Sequence, residues 1–263
     1  MLLVKRCHTE HHIKHGTIKL GTLEEYRKTE ISQIQDREEG LFRYRVDLRG
    51  QVRLPCELFN TLSQGTVQFG NVPPIYYAGR HHSQFDHLNM ISLNGNYVVV
   101  QDASASFTRE SPNSFIYCMS KVKSADQTRN MFSEYKDFWC FKAGDAGELA
   151  FRIGRMLLNK IRDSQKQGIY VLPLHVDTND VSVLIQHECV AYIPRHLSFT
   201  DSEIPKLDDI LHTFADTAFI KPPEFSHEKE YRFHYTLVAH GQIIEPLKKF
   251  LILDARQLLQ YVR

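Results

Sequence analysis

From Phe42 to Leu48 every second residue is apolar: Phe42, Tyr44, Val46 and Leu48 alternate with polar neighbours. That period of two predicts a strand over residues 41–53. A second pattern has the helical period. Leu149, Ile153, Met156, Leu157 and Ile161 form one stripe, which predicts a helix over residues 146–164. Shorter segments fill the rest. Residues 2–7 and 17–21 read as strands, and 23–29 as a short helix. Residues 67–77 and 87–100 read as strand-like segments with Gly and Asn turns, and 114–119 as a compact apolar strand. Residues 124–135 read as helical, 169–176 and 181–193 as strands, and 202–214 as containing a short helix. The end is strand-rich over 238–252, with a terminal helix over 254–262. No linker-like tract or repeat interrupts the series. One strand-rich α+β domain spanning residues 1–263, with helices at one side, is the expectation.

One strand carries unusual chemistry. Residues 221–235 read KPPEFSHEKEYRFHY. The Pro-Pro pair stops what precedes it. Tyr231, Phe233 and Tyr235 then alternate with Arg232 and His234, so an extended segment begins near Glu228. Residues i and i+2 of a strand share a face, so Glu228 and Glu230 are expected to point the same way. Like charges held together are unfavourable unless something uses them.

Composition narrows the function classes. Apolar residues make up 42% of the 263 and charged residues 24%, enough for a packed core. The formal net charge of +1 gives no argument for a strongly basic nucleic-acid binder, although Arg152, Arg155, Lys160 and Arg162 could meet phosphates along the long helix. Cysteines stand at 7, 56, 118, 140 and 189, an odd number without CxxC, which points to reduced thiols. The opening MLLVKRCHTE holds too short an apolar stretch for a signal peptide, and no run reaches the length of a transmembrane helix. A soluble, cytoplasmic protein without a membrane partner is expected. Neither GxGxxG nor GxxxxGK[ST] occurs, which argues against a Rossmann dehydrogenase and a P-loop NTPase.

Three further clusters qualify as candidate chemistry. His8, His11, His12 and His15 have the i, i+3, i+4, i+7 spacing of one helical face, where histidines can hold a transition metal, although a polar helix face is the plainer reading. Tyr26 and Arg27 pair a ring with a cation, suited to a nucleotide, and Asp36, Glu38 and Glu39 form an acidic loop suited to Mg²⁺. The aromatic stretch around Trp139, Tyr135 and Phe138 reads as core, or as a wall for a cofactor.

In three places the chain resembles the Arg-Ser-Glu class of ADP-ribosyltransferases. The early strand LLVKRC carries Arg6, the strand SFIYCMS ends in Ser120, and Glu228-Lys229-Glu230 opens a late strand in the same chain order. The stretches GTIKLGTLEEYR and PEFSHEKEYRF are also similar to uncharacterised prokaryotic proteins found near mobile and defence genes. Where the class carries Ser-Thr-Ser, this chain reads Cys118-Met119-Ser120. The resemblance implies mainly antiparallel strands in a split-sheet core with flanking helices. It implies NAD as the ADP-ribose donor. Glu230 is then the catalytic carboxylate, stabilising positive charge that develops on the ribose, and Glu228 acts toward the acceptor. Arg6 contacts the NAD phosphates, Ser120 supports the site, and His8 is a secondary contact, as in relatives with a first-strand histidine. The implied role is an intracellular toxin or phage-defence effector. Its acceptor is a protein or a nucleic acid, and an inhibitory antitoxin is an expected partner. Two other readings stand beside it: a nuclease holding Mg²⁺ on Asp36, Glu39, Glu228 and Glu230, and a non-enzymatic sensor or interaction module.

Overall fold

The computed structural model describes residues 1–28, 36–64, 66–213 and 216–263. In chain order the elements are β1 (Leu2–Cys7), β2 (Thr17–Thr22), α1 (Leu23–Lys28), β3 (Leu41–Pro55), α2 (Cys56–Leu62), β4 (Arg80–Asn94), β5 (Tyr97–Glu110), β6 (Phe115–Val122), β7 (Asp137–Lys142), α3 (Ala146–Lys166), β8 (Ser182–Cys189), β9 (Ala191–Tyr192), β10 (His196–Thr200), α4 (Ile204–Thr213), β11 (Ile220–Lys221), β12 (Glu230–Ala239), β13 (Gln242–Ile244) and β14 (Phe250–Asp254). The protein is mixed α+β, rich in sheet, with mainly antiparallel strands and few helices. No described helix is long and apolar enough to cross a membrane.

Contacts divide the chain into two compact units. The first comprises Met1–Glu39, Pro112–Tyr192 and Pro223–Arg263; the second comprises Gly40–Ser111 and Ile193–Pro222. The first unit is built on an eight-stranded sheet centred on β6 and β12. Along one edge β6 pairs with β12 over Phe115–Ser120. Its opposite edge is shared: β1 takes Ser120–Val122 and β2 takes Phe115 and Ile116. The sheet therefore divides at β6 into a β1–β7 arm and a β2–β14 arm. β12 is flanked on its other edge by β8.

One face of this sheet receives α3. The stripe predicted from the 3.6 period is buried as expected, against Tyr117, Trp139, Phe141, Tyr231, Phe233 and Tyr235. Trp139 is thus core. Each such side chain contributes about 1.5–3 kcal/mol on burial. Gly154 lets the helix come close, because a Cβ there would lie 2.7 Å from Ile185 Cδ1. The helix stops in a Schellman turn. Gly168 takes φ +73°, and the Gly168 and Ile169 amides donate to Gln165 and Ser164 carbonyls.

The second unit holds a four-stranded sheet in the order β10-β3-β5-β4, with β10 parallel to β3 and the other pairs antiparallel. β4 and β5 form a hairpin through Gly95 and Asn96, with Gly95 at φ +60°. The alternation read over 41–53 is β3. Its Phe42, Tyr44, Val46 and Leu48 are buried with Leu58, Phe59 and Leu62 of α2 and Leu207 and Leu211 of α4.

Four segments differ from expectation. Residues 67–77 form no strand; their backbone is held by side chains of α2 instead. Asn60 donates to the Phe69 and Val72 carbonyls and accepts from the Phe69 amide, and Thr61 Oγ1 accepts from the Ile75 amide. Residues 169–176 form turns interrupted by Pro173, with the Val176 amide bonded to the Pro173 carbonyl. The helix read over 124–135 shrinks to a 3₁₀ turn, Ala125–Thr128. The terminal helix is likewise a 3₁₀ turn, Arg256–Tyr261.

Candidate functional site

β12 is buried along nearly its whole length, and its two faces differ in kind. Tyr231, Phe233, Tyr235 and Leu237 join the α3-facing core. Glu230, Arg232 and His234 occupy the other face, as alternation requires. In register, Glu230 stands opposite Ser120 and Arg232 opposite Cys118, while Ser120 on its far side pairs with Val4. Paired residues of antiparallel strands share a face. One face of three neighbouring strands therefore presents Glu230 and Arg232, then Cys118 and Ser120, then Val4 and, two residues on, Arg6.

A buried ion cluster lies on this face. Arg232 donates through Nε to Glu230 Oε1 at 2.6 Å and through Nη1 to Glu39 Oε1 at 2.7 Å. Arg232 and Glu39 are each 1% exposed at the side chain and Glu230 6%. Burial works against the guanidinium charge, but the carboxylates of Glu230 and Glu39 outweigh it, and Arg232 titrates well above its ordinary value. The backbone of Glu230 is fixed as well: its amide donates to Tyr192 Oη at 2.7 Å and its carbonyl accepts from the Val190 amide at 3.0 Å. Burial, then the charge of Glu230, pushes the Cys118 thiol far above its ordinary range, so it is no thiolate at neutral pH. Tyr26 on α1 is within electrostatic reach of Cys118, Glu230 and Glu25, and burial is the main reason its phenol is raised. Arg27 donates through Nε to the Glu39 carbonyl at 2.6 Å.

The expectation that Glu228 and Glu230 share one face of a strand does not hold. Glu228 ends a 3₁₀ turn, Pro223–Glu228, and is buried there. Lys229 takes φ +47°, the left-handed region, and the strand begins only at Glu230. That reversal breaks the i, i+2 relation on which the reading rested. Ser120 lies within β6 rather than at its end.

The candidate residues fall into two groups. Glu230, Ser120, Tyr26 and Arg27 gather around Arg232 and Glu39. Arg6 and His8 gather around Tyr135 instead. Arg6 donates to Thr128 Oγ1 at 2.9 Å and to the Tyr135 carbonyl at 3.3 Å, and its guanidinium lies 5.3 Å from the Phe138 ring centroid. The exposed His8 ring meets the Tyr135 ring edge-on, centroids 4.9 Å apart. No bond links Arg6 to Glu230 or to Ser120.

The histidine run forms no helical face. It makes two 3₁₀ turns, Thr9–His11 and Ile13–His15, separated by an extended His12 at ψ 137° whose ring accepts from the Lys14 amide. Among the described residues no group of three or more His, Cys, Asp or Glu is arranged to hold a metal ion. Of the four carboxylates the nuclease reading needs, Glu39 and Glu230 are already bridged by the Arg232 cation. On α3, Arg152 pairs with Glu148 and Arg162 donates to the Thr178 carbonyl.

Two features carried only faint signals in the sequence. Arg232 stands between two core aromatics, Tyr231 and Phe233, a position where a cation needs a buried partner. His234 is also fully buried, with Nδ1 3.2 Å from Gln186 Oε1 and Nε2 hydrogen-bonded to Ser114 Oγ. Its signal is the same alternation, one turn of the pleat further on. Compared with family models, with curated proteins and with solved structures, the chain gives no match.

Proposed function

We propose that the protein is an ADP-ribosyltransferase that takes ADP-ribose from NAD, with Glu230 as the carboxylate acting at the ribose. The observation that carries this reading is the register. Glu230 stands opposite Ser120 on neighbouring strands, and Ser120 stands opposite Val4 on the strand that carries Arg6. Arg6, Ser120 and Glu230 thus share one face in the chain order that the resemblance requires. The division of the sheet at β6 supports the same reading, since a split sheet is the core it implies.

The donor set suits a dinucleotide. It offers a carboxylate for developing positive charge, a hydroxyl, the Tyr26 phenol and the Arg6 guanidinium for phosphate. Arg232 acts as the residue that orients Glu230. Glu228, at the end of the 3₁₀ turn before Lys229, is the group assigned to the acceptor, a protein or a nucleic acid. His8 and Arg27 are secondary contacts. The wider proposal is a cytoplasmic toxin or phage-defence effector, held in check by an inhibitory partner.

The test is incubation with labelled NAD, without added metal, alongside separate pools of protein, RNA and DNA. Nicotinamide release with transfer of label to one pool is expected. Glu230→Gln should lower that rate by about 10²–10³-fold at a temperature below its own melting transition, where circular dichroism shows the variant folded. No NAD turnover and no label in any pool would overturn the reading.

A further inference from the structure

The second unit contains an apolar surface that the proposed chemistry does not use. β4 is a 15-residue strand in which nearly every residue is exposed. Its apolar residues do not alternate simply. Phe85, Leu88, Met90 and Leu93 are spaced three, two and three apart, which in a regular strand would scatter them over both faces. Register shifts between Phe85 and His87, Leu88 and Met90, and Met90 and Ser92 correct the spacing. As a result these four stand opposite Ala105, Ala103, Val100 and Val98 of β5, all of which belong to the buried core.

The four residues therefore occupy core-face positions without being in the core. Phe85 and Leu88 are 37% exposed, Met90 43% and Leu93 49%, and Ile91 at the last shift is 50% exposed. α2 and α4 cover β3 and β5 but bury no residue of β4. The sheet order ends on β4, so its outer edge has no strand partner among the described residues. Long exposed edges are ordinarily protected by charged side chains, proline or β-bulges. RHHSQFDHLNMISLN has no lysine or proline, and its irregularities bring the apolar residues onto one face rather than interrupting the pairing with β5.

We propose that β4 is a self-association surface, through which two copies of the chain pair edge to edge about a two-fold axis. Charge favours a second copy over another partner. The strip's charged residues are Arg80 and Asp86, which are paired within the chain to Glu110 at 3.7 Å and Arg45 at 3.0 Å. A copy of the same strip meets no opposing like charge, and a strongly basic or acidic partner finds no complement. Geometry favours it too. An antiparallel strand edge is self-complementary under a two-fold axis. An axis near Leu88 sets Phe85 of one copy beside the Met90–Ile91 region of the other. At the strand rise of ~3.3 Å per residue the edge is about 50 Å long, which with its apolar face is of the order of the ~800 Å² per partner of a stable interface.

Sedimentation velocity on the whole chain, from submicromolar to tens of micromolar, tests this. A concentration-dependent doubling of mass is expected. The double variant Met90→Lys, Leu93→Lys should weaken the dimer roughly thirtyfold or more, with the circular dichroism spectrum unchanged. Leu174→Lys, at an exposed leucine of the first unit, should leave it intact. On the unaltered chain, amide exchange along β4 should slow as concentration rises. A monomer at every concentration, a dimer indifferent to the double variant, or β4 amides indifferent to concentration would overturn the proposal.

Discussion

β12 and β4 invert what their compositions suggest. β12 carries Glu230, Arg232 and His234 and is almost wholly buried. β4 carries Phe85, Leu88, Met90, Ile91 and Leu93 and is almost wholly exposed. The difference lies in neighbours rather than in side chains. β12 has β6 along one edge, β8 along the other and α3 on one face, and its charges are matched by Glu39, Ser114 and Gln186. β4 ends its sheet. Burial follows position in the sheet, and a polar strand can be central once each charge has a partner.

The largest effect is expected where that matching is broken. Arg232→Met leaves Glu39 and Glu230 buried without their shared cation and should cost about 3–5 kcal/mol in urea unfolding. Adding Glu39→Gln and Glu230→Gln should recover part of the loss, because the uncompensated charges go with it. A triple variant more stable than Arg232→Met alone would support this account; no recovery would break it. Leu93→Ser, on the exposed strand, should change stability by no more than about 0.5 kcal/mol when measured below the association range.

The smallest effect sharpens the contrast between buried and exposed charge. Asp254 accepts from Arg256 Nε at 2.9 Å, with both side chains largely in solvent. Hydrogen bonds from the Arg256 side chain and amide hold the carboxyl down at about 2. A depressed carboxyl stabilises the fold above its unfolded value and loses that contribution as pH falls toward 2. Asp254→Asn should therefore cost a few tenths of a kcal/mol at pH 7 and nothing near pH 2, and less at high salt. Paired melting curves at the two pH values check it.

Long, regular patterns were the legible part of this sequence. β3 and α3 announce themselves because each repeats its period over several turns or pleats. Residues 67–77 misled because Asn60 and Thr61, on a different element, claim the backbone groups a strand would have paired. The histidine run misled because spacing alone does not reveal that His12 is extended. At the candidate site, Glu230 and Ser120 were nameable one by one. Their opposition across β12 and β6 was not, since register between distant segments depends on the whole sheet. The position of Glu228 turned on the backbone of one residue, Lys229, which no period encodes. Exposure of β4 was equally hidden, since it depends on how far α2 and α4 reach.

The order in which β6 acquires its neighbours has a consequence for biosynthesis. β1 and β2 are made before β6, whereas β12 follows it by more than the whole length of α3 and β8. A chain emerging from the ribosome can assemble the β1–β6 and β2–β6 pairs early, but the slot between β6 and β8 stays open until β12 is made. Such long-range closure is a slow, late step. The strand that fills the slot is also the one that delivers Glu230 and Arg232, so closure of the gap between β6 and β8 and arrival of Glu230 are a single event, with only β13 and β14 left to join the sheet.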